Sequence, residues 1–174
     1  MTGLRAAWRN EQTPTIMPRI NYSTALRCIA QDLEIRGLKT FDIRSEGDEY
    51  AVLAGYQEPP ALMPVAIRYS LPDILDLDDS GEERRGQAPP AREFLNCVQV
   101  LRTIGGYLDK NEARLIRISN NDATAKDSTF RVEYETRDGQ SVVDDRAGSA
   151  IYDLCVMMYK QRGRSRGRYA RRHR

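Results

Sequence analysis

An α+β protein is what this sequence predicts, built from tandem α-β-β-β-α units with antiparallel sheet and followed by a flexible basic tail. Three observations lead there. Short segments alternate apolar and polar residues between turn signals. Longer segments with apolar residues at i, i+3 and i+7 flank them. The whole order then occurs a second time, and matched residues such as Leu26 and Leu101 recur at an ungapped offset of 75.

The first unit spans residues 22–87. "STALRCIAQDLEIRG" reads as a helix, with Ser23 or Thr24 as its cap, Leu26, Ile29 and Leu33 on one face, and Gly37 as its stop. "KTFDIR" and "EYAVLAGY" are alternating strands joined by "SEGD", a hairpin signal. The prolines of "QEPPALMP" make a loop, and "VAIRYS" is a third strand with Val65, Ile67 and Tyr69 on one face. "LPDILDLDDSGEERRG" is a helix with Pro72 in its first turn and an end near Gly86.

The second unit spans residues 90–160. "PAREFLNCVQVLRTIGGYLDK" is its opening helix, weakened by Gly105 and Gly106 at about 1 kcal/mol each. "ARLIRIS" and "TFRVEYET" are strands, the latter with Phe130, Val132 and Tyr134 on one face. The dipeptide Asp138–Gly139 turns the chain into the strand "SVVDD", and "SAIYDLCVMMYKQ" closes the body as an amphipathic helix. At the offset of 75, Leu26, Arg27, Ile29 and Leu33 match Leu101, Arg102, Ile104 and Leu108; Phe41 and Ile43 match Ile116 and Ile118. The shared "LR-x-I-x-x-x-L" favours a duplication. A three-stranded sheet with helices on one face leaves the other bare, so the units are expected to pack together or to join into one six-stranded sheet.

Charge is distributed unevenly. Lys160 and seven arginines give residues 160–174 a sum of +8, and the other 159 residues, with 19 basic and 25 acidic side chains, sum to −6. In the tail, residues 161–174, arginine alternates with glycine and serine around Tyr169. Guanidinium groups contact phosphates bidentately and tyrosine stacks on bases, so this composition points to RNA or DNA, RNA ahead of DNA. The expected ligating residues are Lys160, Arg162, Arg164, Arg166, Arg168, Tyr169, Arg171, Arg172 and Arg174. His173 is the only histidine. The competing class is a protein-interaction adaptor or small chaperone whose body meets a protein partner or a second copy, the tail serving solubility or partner choice.

The body offers little else. The order of elements resembles the double-stranded RNA-binding domain, but the second helix of each unit opens with "LPDILDLDD" or "AGSAIYDLC" in place of a lysine cluster. The resemblance therefore implies topology alone. Phe130, Tyr134 and Tyr69 share faces with aliphatic residues and read as core, which leaves no stacking platform of the RNA-recognition-motif kind. Asp76, Asp78, Ser80 and Gly81 fit the start of a calcium loop, yet Gln87 stands where its bidentate glutamate belongs, so a solvated acidic helix face is expected. The body has no histidine, glycine-rich phosphate loop or nucleophile elbow, and the polar stretch 120–128 reads as a hairpin connection, so no enzyme, metal or cofactor is expected. Cys28, Cys97 and Cys155 lack paired spacing, and the last two fit buried helix faces. Residues 1–21 read as a flexible extension, with Met17 an alternative start. No apolar run approaches the roughly 20 residues of a membrane span, and a cytoplasmic protein is expected.

Overall fold

The computed structural model describes residues 20–56, 64–80, 95–120 and 128–171; the side chains of Ser80 and of 162–171 are not among those described. The elements are α1 (Tyr22–Ile35), β1 (Thr40–Glu46), β2 (Glu49–Gly55), β3 (Val65–Tyr69), α2 (Leu71–Ser80), α3 (Cys97–Lys110), β4 (Arg114–Asn120), β5 (Thr129–Glu135), β6 (Ser141–Ala147) and α4 (Gly148–Arg171). All six strands form one antiparallel sheet in the order β3-β2-β1-β4-β5-β6. Of the two arrangements open to paired α-β-β-β-α units, the molecule adopts the joint sheet. Its central seam pairs Ile43 of β1 with Ile118 of β4, residues separated by the same 75 positions that relate Leu26 to Leu101.

One core lies between this sheet and the helices. Leu26, Ile29 and Leu33 of α1 and Leu101 and Leu108 of α3 are fully enclosed, with Ile43, Leu115 and Ile118 beneath them. Ile74 of α2 and Ile151 of α4 seal the flanks. α1 and α3 cross most closely at Gly105, where an added Cβ would lie 2.5 Å from the Tyr22 carbonyl oxygen and 2.6 Å from the Ser23 nitrogen. A side chain cannot fit against that backbone, so the glycine that weakens α3 locally is what lets the helices approach. At the turns, Gly47 and Gly139 take φ of +68° and +78°, as tight hairpins require.

Several boundaries differ from those the sequence predicts. Asn21, not Ser23 or Thr24, caps α1: its Oδ1 accepts from the Thr24 N–H at 2.8 Å. Asn21 and Ile20, which packs against the core, therefore belong to the body and not to an extension. α3 starts at Cys97, because Asn96 and Gln99 form a reciprocal capping box there. Ile116 is only half-buried, since a bulge between Leu115 and Arg117 breaks the alternation and turns Leu115 into the core. Cys28 is the fully buried thiol, whereas Cys97 and Cys155 are partly covered. Asp76 and Asp78 lie within helical α2, not in a loop. Asn120 ends β4 and is buried, its Oδ1 accepting from the Phe41 N–H at 2.7 Å. Residues 1–19, most of the region expected to be an extension, lie outside the described residues, as do 81–94, with the expected end of α2. Among the described residues no helix is long and apolar enough to cross a membrane.

Candidate nucleic-acid interface

The basic segment continues α4, so the anchoring of that helix decides where the charge is presented. α4 follows β6 directly. The Gly148 N–H donates to the Ser128 carbonyl at 2.9 Å. Ile151 is fully buried one turn later, and Met158 reaches over Gly106, where an added Cβ would stand 2.5 Å from its Cε. At the far end Lys110 Nζ donates to Gln161 Oε1 at 3.3 Å. α4 thus runs alongside α3 in the same direction and delivers residue 161 to the edge of the body where α3 ends.

Lys160 is exposed at that edge. The backbone of α4 is helical to Arg171, well past the boundary at 160 that the sequence predicts. The side chains of Arg162, Arg164, Arg166, Arg168, Tyr169 and Arg171 are not described, and Arg172 and Arg174 lie outside the described residues altogether; the expected flexibility of 161–174 falls on this part of the chain.

The bare face of the sheet is the other surface large enough to meet a polymer, and its charge is already matched. Arg117 grips Asp42 bidentately, with Nε and Nη2 at 2.8 and 2.7 Å from the two carboxylate oxygens. Arg44 approaches Asp42 at 3.5 Å, Arg117 approaches Glu133 at 3.9 Å, and Arg131 lies between Glu133 at 3.5 Å and Asp145 at 4.0 Å. Three arginines and three carboxylates alternate across β1, β4, β5 and β6. Burial pushes the Asp42 carboxyl up, but the Arg117 hydrogen bonds and charge outweigh it and hold Asp42 below the ordinary carboxylate value. The ladder has no net positive charge to offer a phosphate chain.

The aromatic residues take the places the sequence predicts. Phe130, Tyr134 and Tyr69 are buried, Phe130 lies 6.4 Å from Phe41, and Tyr134 meets Tyr107 edge-on at 6.1 Å. The Tyr107 hydrogen bond, with burial, pushes the Tyr134 phenol up to about 12. Arg146 sits 4.5 Å above the Tyr107 ring while binding Asp144 at 2.6 Å. Burial and the nearby Glu34 push the Cys97 thiol up to about 12, which leaves it unreactive at neutral pH.

Two polar groups matter that sequence reasoning passed over. Arg27 is buried and bound to Asp78, which draws α2 onto α1; Arg27 and Arg102 both line a polar cleft of about 450 Å³. The signal was present in the shared Leu-Arg pair, but it carried no information about burial. Asp109 accepts from the Tyr22 and Ser23 N–H groups, both at 2.9 Å, and so caps α1 from the end of α3. Nothing local in the sequence marks a cap that acts across 87 positions. No protein-family model, no curated protein and no solved structure matches this chain.

Proposed function

We infer that this protein binds nucleic acid, RNA ahead of DNA, through the basic continuation of α4. Segregation of charge carries the reading: +8 within residues 160–174 against −6 for the rest of the chain. Lys160, Arg162, Arg164, Arg166, Arg168, Arg171, Arg172 and Arg174 are the proposed phosphate ligands, and Tyr169 the stacking residue. Each phosphate neutralised releases condensed counterions, so affinity is electrostatic and falls steeply with salt. The α+β body, whose open face is self-neutralised, acts as the platform from which α4 presents this charge. We also read the two halves as a duplication, supported by the shared order of elements and by the seam at Ile43 and Ile118.

Titration of fluorescent single-stranded RNA against the full chain and a truncation after Lys160 tests the reading. Eight contacts would give a slope of log affinity against log salt on the order of −5. The truncated chain is expected to lose nearly all binding. Equal binding by both chains, or binding indifferent to salt, overturns the proposal. A protein-interaction module is the second reading, favoured by Met157 and Tyr159, which are about half exposed on α4 just before the basic stretch. A stoichiometric protein partner retained by the truncated chain would support it.

A further inference from the structure

At the end of the sheet that carries the β1–β2 turn lies a cavity of about 860 Å³. Ile74 and Leu108, both fully enclosed, line its apolar part, and Leu71 from the start of α2 stands beside them. Tyr50 also lines it. That residue is nine-tenths buried, and its hydroxyl has no hydrogen-bond partner among the described residues. A buried phenol without an acceptor is costly, by about 1–3 kcal/mol, and marks a place where an acceptor belongs. The lining carboxylates Asp48, Asp109 and Glu112 outnumber the single cation, Arg114. Asp48 has no ion pair among the described residues. Whatever fills the cavity should combine apolar bulk, a hydrogen-bond acceptor and positive charge.

One segment of this chain has all three and is tethered at the site. Ile20 lines the cavity, and residues 1–19 lead into it. That segment carries Arg5, Arg9 and Arg19 against one acid, Glu11, and Trp8 is the only tryptophan of the protein. Twelve residues separate Trp8 from Ile20, an extended reach of about 40 Å, ample for a cavity whose lining includes Ile20 itself. The other undescribed internal stretches attach elsewhere. Residues 57–63 and 121–127 leave the sheet at its opposite end, beside Thr40 and Phe41, and 81–94 connect the far ends of α2 and α3.

We propose that residues 1–19 dock in this cavity, with Trp8 against Ile74 and Leu108, a backbone carbonyl accepting from the Tyr50 hydroxyl, and the flanking arginines at Asp48. The sole tryptophan makes the test direct. In the full chain, Trp8 emission is expected to be blue-shifted from N-acetyltryptophanamide, with an acrylamide quenching constant several-fold lower. Asp48→Lys reverses the charge of an exposed turn residue, and Leu71→Arg places a cation at the half-buried start of α2. Each is expected to return the emission and quenching toward those of the free indole while far-ultraviolet circular dichroism stays unchanged. A solvent-exposed Trp8 in the wild-type chain overturns the proposal. So does blue emission that persists in both folded variants, or one that disappears on dilution, which would put the segment in a second copy's cavity.

Discussion

The two faces of the six-stranded sheet are drawn from the same strands and differ by one residue of register. On β1, Ile43 faces the helices and is completely enclosed, whereas its neighbour Arg44 faces outward with more than half of its side chain exposed. The covered face derives its energy from area removed from water, about 25 cal/mol for each Å² of apolar surface. The open face carries ion pairs in contact with water, each worth about 0–1 kcal/mol. One face therefore holds the fold together. The other keeps a bare sheet soluble and in register, because sliding it against a neighbour would place like charges opposite one another.

Substitutions along β1 and the α1–α3 crossing can break this comparison. The largest effect is expected from Ile43→Ala, about 3–4 kcal/mol of lost stability, since it opens a hole at the seam joining the two halves. Urea midpoints at constant m-value measure it, and a loss under 1 kcal/mol would mean the seam is not central to the core. Gly105→Ala should follow at about 2–3 kcal/mol, because the new methyl group meets the backbone of α1 and not a side chain that can swing away. An unchanged midpoint would refute the close crossing. Asp42→Asn should cost about 1 kcal/mol near neutral pH, in proportion to the loss of its bidentate Arg117 contact.

Asp42 also sharpens the comparison through pH. Its folded-state value lies below its ordinary one, so its contribution is present above the unfolded value near 3.8 and is lost as pH falls through the lowered folded value. Wild-type stability minus that of Asp42→Asn should therefore hold steady above about pH 5 and shrink on further acidification. A difference that grew in acid would contradict the ladder. The smallest effect is expected for Arg44→Ala, within about 0.5 kcal/mol and reduced further by salt. If Arg44→Ala proved as damaging as Ile43→Ala, the division of labour between the faces would fail.

Much of this was legible in the chain itself. Period-2 alternation located all six strands, because a strand buried on one side must alternate wherever the pleat is regular. It failed at Ile116, since a bulge adds a residue without any local marker. Helix periodicity located the inner faces of α1 and α3 but missed their caps at Asn21 and Asn96: several residues near each start could cap, and only folding selects among them. The candidate interface was legible as charge alone. Its geometric setting, beside the end of α3 through Lys110 and Gln161, required the packed helices.

The chain's own order of residues determined the class of elements, the faces they bury and the gathering of positive charge at one end, because these depend on periods of two to four residues and on composition. Tertiary structure alone decided that the halves join edge to edge through β1 and β4, that Asp109 caps a distant helix, that Arg27 is buried against Asp78, and that Tyr50 is left facing a cavity. The physical reason is one of range. Pairing, capping and desolvation act between atoms a few ångströms apart in space, and at 50 to 90 positions along the chain no local pattern records which atoms those will be.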